Sequence, residues 1–266
     1  VSVLSIDHCR YGRIGWEMQG GLSLYFGSGD LSFHLTDKCS DSEISLPLGC
    51  YEGLTVSLDL DILKEKKPEL LSEAGVDICR LCRKFCGDRE TAALPANSRI
   101  AHIFSEVYDL PEQMKLPYLK LKCQELLFFL NMTEPSETQI LDAHYSGQVE
   151  IIRQIHDIML AQPERRYTID ELSRQYLINT AALKKVFKSV YGMPIASYMK
   201  QYRIRQAAQL LRETDESISS IARTVGYESQ SKFSAAFKDI MKILPTDYRR
   251  QYQDQLSSSP SRAPSS

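Results

Sequence analysis

Two sets of side chains in the C-terminal half of the sequence have the chemistry and spacing to contact a nucleic acid. The first set is Ala181, Lys184, Lys185 and Lys188, and the second set is Gln230, Ser231, Ser234 and Lys238. Lysine ammonium groups suit phosphate contact, whereas a glutamine amide can form two hydrogen bonds with the edge of an adenine base. We expect Lys184 and Lys185 to reach the major groove and Lys188 to lie nearer phosphate. The alternative for each residue is an ordinary solvated surface.

These side chains fall on the second helix of a unit that the sequence contains twice. Residues 169–173 match residues 218–222 at an offset of 49, and Phe187 matches Phe237 at an offset of 50. In each copy, a short polar turn is followed by apolar residues at i, i+3, i+4 and i+7. This pattern is typical of a helix-turn-helix, and its repetition indicates two such units in tandem.

The elements that position the two units are a set of caps and one long connecting helix. Asn179 or Thr180 is expected to cap the second helix of the first copy, and Gly192 to end it. Residues 195–213 read as one helix, with a length of about 28 Å at ~1.5 Å per residue. That length is close to one turn of DNA, ~34 Å, so the two second helices could enter successive major grooves. Arg203 is expected to brace this helix rather than contact a base.

Residues 167–249 resemble the DNA-binding domain of the AraC/XylS family of bacterial transcription regulators. The residues that carry the resemblance are Leu183, Phe187, Lys188, Gly192, Pro194, Tyr198, Arg203, Ala207, Leu210, Leu211, Ile218, Ile221, Ala222, Val225, Gly226, Tyr227, Phe233, Phe237, Lys238, Pro245, Tyr248 and Arg249. The family usually has Gly where Lys242 stands and commonly Arg where Ala235 stands. The resemblance implies double-stranded DNA as a partner, with contact to RNA polymerase as part of the hypothesis.

The N-terminal part has a different pattern, with short β-rich runs broken by Gly, Asp and Ser. The expected fold is α+β and multidomain: an antiparallel, partly complete cupin-like barrel with flanking helices, then an all-α tandem helix-turn-helix domain. The resemblance implies the barrel. The expected divisions are a β-rich sensor region at 1–60, a helical sensor or dimerisation region at 61–145, the DNA-binding domain at 146–252 and a disordered tail at 253–266. Because the sequence begins inside a strand and without Met, upstream residues are expected to be missing.

A pocket in the barrel could hold a small-molecule effector. The candidate lining residues are Arg13, Trp16, Tyr25 and Tyr51, although aromatic side chains in a barrel also serve as plain core. Metal-binding cupins generally use a His-x-His pair, and this region offers His8 and His34 without such a pair. We therefore expect neither a cofactor nor an enzyme, and a cupin-type enzyme is the disfavoured alternative.

An apolar stripe in the helical region allows two interpretations. Leu119, Cys123, Leu126 and Leu130 follow steps of 4, 3 and 4 residues on a helix expected to start at Pro117. The stripe could pack on the barrel, or it could pair with its copy in a homodimer. The resemblance favours the second interpretation, since AraC-like sensor domains often dimerise through helices here.

Three cysteines on one helical face suggest a different input. Cys79, Cys82 and Cys86, with Cys123 or His102, could supply four ligands to zinc or to an iron–sulfur cluster and make the protein a metal or redox sensor. The same spacing also fits a buried helical stripe, in which a free cysteine behaves as a small hydrophobe. Both interpretations are open from the sequence, and the buried stripe is favoured.

The charge is unevenly distributed along the chain. Residues 163–252 contain 16 Lys and Arg against 9 Asp and Glu, whereas residues 1–162 contain 15 against 24. The C-terminal part is therefore +7 and the N-terminal part −9, as expected when a nucleic-acid-binding module is joined to a different module. The sequence has no long uncharged apolar segment, so no membrane association and a cytoplasmic location are expected. The sequence thus predicts a ligand-responsive transcription regulator.

Overall fold

The chain forms two compact units. The computed structural model describes residues 2–18, 20–35, 42–87, 91–133 and 143–258. The N-terminal unit comprises Val1–Val149 with Ser189–Gly192, and the C-terminal unit comprises Glu150–Lys188 with Met193–Ser266.

A curled antiparallel sheet forms the centre of the N-terminal unit. Its strands within the described residues are β1 (Val3–Met18), β2 (Leu22–Gly27), β3 (Leu31–Leu35), β4 (Glu43–Ser45), β5 (Tyr51–Asp59), β6 (Thr91–Leu94) and β7 (His144–Tyr145). The first half of β1 pairs with β3 and β5, and its second half pairs with β2 and β4. The pairing with β5 shifts register between Cys9 and Tyr11. Because β1 belongs to both halves of the sheet and carries this irregularity, the sheet curls into half a barrel.

The sheet differs from the expectation in two ways. The sequence predicts separate strands over residues 2–6 and 13–18, but β1 runs through both. Residues 61–145 were expected to be helical, yet β6 pairs with β3 and β7 pairs with β2 in this region. Both pairings join segments that are far apart in the sequence, and local residue patterns do not indicate such partners.

Helices cover one face of the sheet. They are α1 (Leu60–Glu65), α2 (Glu69–Glu73), α3 (Ile78–Phe85), α4 (Ser98–Phe104), a 3-10 turn at Val107–Asp109 and α5 (Glu112–Met132). Asn97 caps α4, because its side chain accepts hydrogen bonds from the backbone N–H groups of Arg99 and Ile100. The prediction that Pro117 starts a helix is wrong: α5 begins after Pro111 and contains Pro117.

The stripe on α5 packs in the core of this unit. Leu126 and Leu130 are each 1% exposed and belong to the same buried cluster as Phe33 of β3, with Leu119 packed against its edge. A homodimer contact through this stripe is therefore ruled out, because its central leucines already contact the chain's own core.

The C-terminal unit is helical. Its helices are α6 (Ser146–Ala161), α7 (Ile169–Gln175), α8 (Thr180–Tyr191), α9 (Ile195–Glu213), α10 (Ile218–Thr224), α11 (Gln230–Met241) and α12 (Pro245–Ser258). The first turn of α6 belongs to the N-terminal unit. The bounds of α9 are those predicted. The tail expected at 253–266 is partly wrong, because α12 continues to Ser258, and residues 259–266 lie outside the described residues. Within the described ranges, no helix is long and apolar enough to cross a membrane.

Candidate nucleic-acid interface

The second helix of the first copy, α8, exposes the predicted residues. Its N-terminus is capped by Asn179, whose Oδ1 accepts hydrogen bonds from the backbone N–H groups of Ala181 at 2.8 Å and Ala182 at 3.4 Å. The side chains of Ala181, Lys184, Lys185 and Lys188 are exposed. The opposite face, formed by Leu183, Val186, Phe187 and Val190, is buried. The helix therefore has one apolar face in the core and one face that is accessible and mostly basic.

The second helix of the second copy, α11, has the same two faces. Ser229 caps it by accepting a hydrogen bond from the backbone N–H of Lys232. Phe233 and Phe237 are fully buried. The predicted contact residues Gln230, Ser231 and Lys238 are exposed, and Ser234 is half-buried at the edge of the face. The accessible face of α11 is thus richer in uncharged hydrogen-bonding groups than that of α8.

The duplication seen in the sequence also appears in the packing. In the first copy, the ring of Phe187 meets Tyr198 edge-on, with centroids 5.7 Å apart and an interplanar angle of 79°. In the second copy, Phe237 meets Tyr248 with centroids 5.5 Å apart and an angle of 72°. Equivalent aromatic pairs therefore fix α8 and α11 to the helices that follow them.

Helix α9 connects the copies and is held by polar contacts along its length. Lys200 Nζ lies 2.7 Å from Asp239 Oδ2 on α11, and this ion pair lowers the pKa of Asp239. Arg203 donates hydrogen bonds to the backbone of the loop before α7. This agrees with the bracing role predicted for Arg203. At the far end, the Arg249 guanidinium donates to the backbone oxygens of Leu211 on α9 at 3.4 Å and of Glu216, just beyond α9, at 2.7 Å.

Comparison with known proteins identifies this arrangement. Residues 172–251 match the family described as a helix-turn-helix domain. A putative AraC-like transcription regulator from Streptomyces lividans is 36% identical over 33% of this chain and 29% of its own length. The regulator AlkR from Acinetobacter baylyi is 35% identical over 34% of this chain and 30% of its own length. The C-terminal unit is therefore similar to the helix-turn-helix domain of AraC-like transcription regulators.

The similarity is confined to part of these proteins. The match spans about 30% of the length of the curated relatives. Among solved structures, the C-terminal domain of AraT, a response regulator from Geobacillus stearothermophilus, is 28% identical, with 38% of this chain and 84% of that chain covered and a TM-score of 0.37. The similarity to AraC-like regulators therefore rests on the match over residues 172–251 and on these partial sequence matches.

The N-terminal unit does not bring the four predicted ligand residues together. Trp16 and Tyr51 pack against the cluster of Ile14 and Phe26 on the inner face of the sheet. Tyr25 pairs with Gly15, one position from the Trp16 pair, so it points to the opposite face, as does Arg13. Alternation of side chains along a strand causes this split. A single pocket lined by all four residues is therefore ruled out.

The inner face also holds a polar cluster that the sequence did not indicate. Asp7 is 6% exposed, and its carboxylate accepts hydrogen bonds from Thr55 Oγ1 at 2.6 Å and Ser32 Oγ at 3.0 Å. His34 Nδ1 lies 3.2 Å from Asp7 Oδ2, and its ring packs on Trp16 with centroids 4.6 Å apart. Polar residues do alternate along β1 and β3 in the sequence. This alternation shows that they share a face, but not which strands bring them together.

The three cysteines predicted as candidate metal ligands differ in how deeply they are buried. Cys82 and Cys86 lie in the core of the N-terminal unit beside Phe85, whereas Cys79 is half-buried. Burial raises the pKa of the Cys82 thiol to about 11, which disfavours the thiolate that binds metal. Among the residues that the structure describes, no group of three or more His, Cys, Asp or Glu side chains is placed to hold a metal ion. The stripe of cysteines is thus used in packing.

Proposed function

We propose that the protein is a sequence-specific DNA-binding transcription regulator that responds to a small molecule. The observation that carries this proposal is the repeated geometry of α8 and α11, each with a buried apolar face and an accessible polar face. Helix α9 joins the two copies over about 28 Å, near the ~34 Å of one DNA turn. The two accessible faces can therefore engage successive major grooves on one side of a duplex.

The two faces are expected to contribute differently to binding. The lysines of α8 supply positive charge for phosphates and for guanine edges, whereas Gln230 can form a paired hydrogen bond with adenine. Departure from the family pattern reinforces this asymmetry, because Ala235 is exposed on α11 where the family commonly has Arg. Base selectivity in the second half of the site should accordingly depend on Gln230 and Ser231.

Substitutions at Lys184 and Gln230 test the proposal. We expect duplexes selected from a random pool to define a site with two halves about one turn apart. Lys184→Ala should relax base preference in one half, and Gln230→Ala in the other. Each loss should correspond to about 1–3 kcal/mol of discrimination, as expected for a base contact. Selection by the parent protein and by both variants, followed by sequencing, measures these preferences.

Lys188→Ala is the matched control on α8, since Lys188 is expected to contact phosphate. It should weaken binding to all sequences and lower the slope of log affinity against log salt by about one, with base preference unchanged. The proposal fails if the parent protein enriches no sequence. If both Lys184→Ala and Gln230→Ala keep the parent preference, the assignment of these two contacts is wrong.

The effector and the polymerase contact belong to the same proposal. Trp16 and Tyr51 share the inner face of the half-barrel with the Asp7 cluster, which offers aromatic surface beside hydrogen-bonding groups, as small-molecule sites do. An effector bound there, or a contact with a second copy, would change how the helix-turn-helix units engage DNA or RNA polymerase. Effector candidates that protect the N-terminal unit from thermal unfolding would support this part of the proposal.

A homodimer is supported by a second apolar surface on α5. Met114 is 49% exposed, Leu121 64% and Met132 66%, and the seven-residue step from Met114 to Leu121 places these two on one side of the helix. Exposed apolar side chains of this size at helical spacing are typical of an association surface. We therefore propose that α5 pairs with a second copy through this face rather than through Leu126 and Leu130.

Leu121→Glu is expected to shift the protein from dimer to monomer. A charge at the centre of an apolar contact loses its hydration without gaining a partner, which should weaken association by at least about tenfold. Sedimentation velocity over a range of concentrations measures the change. Lys120→Glu, at a neighbouring exposed position, is the control and should leave the equilibrium near that of the parent. If the parent is monomeric at every concentration, the dimer proposal is wrong.

A further inference from the structure

The loop between α6 and α7 is attached to the connecting helix by one side chain. Arg203 Nε donates to the backbone oxygen of Pro163 at 2.6 Å, and Arg203 Nη2 donates to the backbone oxygen of Arg165 at 2.9 Å. The planar guanidinium holds both carbonyls at once, which fixes the orientation of the loop as well as its position. This guanidinium is partly withdrawn from water, which lowers the pKa of Arg203. Its hydrogen bonds are stronger there than they would be in water.

The same loop lies against the turn of the second copy. Gly226, in the turn between α10 and α11, has φ +84°, and a Cβ built there would stand 2.8 Å from Glu164 Cα and 2.9 Å from its carbonyl oxygen. Distances this short leave no room for a side chain, so Gly226 permits the backbone of the loop to approach. Residues 163–165 thus contact α9 on one side and the second helix-turn-helix on the other, while leading directly into α7 of the first.

We infer that this contact of residues 163–165 with Arg203 and Gly226 sets the spacing between the two half-sites that the protein accepts. The inference rests on the proposed function, since it concerns how two DNA-reading helices are held. Arg203 acts here as a positioning residue: it touches no base, and it acts through the loop. Base preference within each half-site remains with α8 and α11.

The geometry of DNA shows why a fixed contact matters. One base pair added between the half-sites moves the second half by about 3.4 Å along the duplex and rotates it by about 35° around the axis. A helix such as α9 fixes the distance between the two helix-turn-helix copies. The side-chain packing on α9 determines how each copy is rotated about the helix axis. Hydrogen bonds of 2.6 and 2.9 Å and a backbone contact at Gly226 would have to break or shift before one copy could rotate against the other.

The test uses the full chain and a site selected from a random pool by the parent protein. A library is then made in which the two half-sites are kept and the spacer is varied by one and two base pairs in each direction. The parent is expected to prefer one spacer over its neighbours by tenfold or more, about the factor that one charge-assisted hydrogen bond contributes. Arg203→Met keeps the aliphatic stem and removes the donors, and it should reduce this preference to less than about threefold.

Two further variants make the result specific. Arg205→Met removes an exposed arginine from the same helix and should retain the parent spacing preference. Arg203→Lys keeps the charge but cannot reproduce the forked contact, so it should give an intermediate preference. If circular dichroism shows that Arg203→Met does not fold, Arg203→Lys becomes the deciding variant.

The outcomes separate the two proposals. A parent protein that selects no site contradicts the proposed function, whatever the variants do. A parent with a sharp spacing preference, together with a folded Arg203 variant that keeps this preference or loses binding equally at every spacing, overturns the inference. Relaxed spacing with unchanged bases in both half-sites is the expected result.

Discussion

Replacing Gly226 by alanine is expected to lower the local stability of α10 and α11 by about 3 kcal/mol. The backbone there has φ +84°, which costs an L side chain roughly 1–2 kcal/mol, and the added Cβ would overlap the backbone of Glu164, adding a similar amount. Hydrogen exchange of the backbone amides in α10 and α11 in the full chain measures this loss, because it reports the free energy of local opening.

The first copy provides the matched control. Leu177 occupies the position equivalent to Gly226, at an offset of 49, with φ 51° and 93% of its surface exposed. Leu177→Gly relieves the left-handed strain but makes the unfolded chain more flexible, so the net gain should be small, about 0.5–1 kcal/mol in favour of folding. If Gly226→Ala costs no more than about 0.5 kcal/mol, the close approach of Glu164 does not exist in solution.

The two copies place their glycines in complementary positions. Each copy has two residues in the left-handed region, one in the turn and one after the second helix. The first copy has Leu177 in the turn and Gly192 after α8, whereas the second has Gly226 in the turn and Lys242, with φ 63°, after α11. Comparison with the family pattern identified Lys242 as a departure. The left-handed backbone of Leu177 is not predictable in this way, because a leucine gives no local signal of that conformation.

The C-terminal unit was predictable because its elements are local. Helical periodicity, the cap at Asn179 or Thr180 and the glycine stop at Gly192 place α8 and α9 within a residue or two, and the same periodicity separates the exposed lysines of α8 from its buried face. What the sequence could not show is the contact of residues 163–165 with Gly226. That contact joins segments about 60 residues apart, and its atoms are mostly backbone, so no side-chain pattern encodes it.

The N-terminal unit was harder to predict for the same physical reason. Each strand is recognisable, but its partners are set by long-range pairing, so β6 and β7 were missed and β1 was divided. The error for the ligand residues follows from strand register, which long-range pairing also sets. The sequence predicts a pocket shared by Trp16 and Tyr25, whereas the pairing of Gly15 with Tyr25 and of Trp16 with Leu24 places them on opposite faces.

The stability of the N-terminal unit is expected to depend on the protonation of His8. This side chain is 5% exposed, its ring stacks on Phe104 with centroids 3.9 Å apart, and its Nδ1 lies 2.7 Å from the hydroxyl of Tyr108. Burial lowers the pKa of His8 to about 4, because the charged imidazolium would lose its hydration. The folded unit therefore strongly favours the neutral ring.

The sign of the pH dependence follows from this shift. An unfolded chain has a histidine pKa near 6.5, so between about pH 6.5 and 4 the unfolded state binds more protons at His8 than the folded state does. The stabilisation is fully present above pH 6.5 and is lost as the pH falls toward 4, by about 3 kcal/mol in total. Hydrogen exchange or urea unfolding monitored in the N-terminal unit at several pH values measures this loss.

His8→Gln isolates the contribution of the imidazole. Glutamine can keep a hydrogen bond to Tyr108 but has no proton to gain in this range, whereas the carboxylates of the unit titrate in both proteins and cancel in the difference. The stability of the parent should consequently fall more steeply than that of the variant as the pH is lowered from 6.5 to 4. Parallel curves would mean that the ring of His8 reaches water in the folded protein, and the stacked contact with Phe104 would then have to open without unfolding the unit.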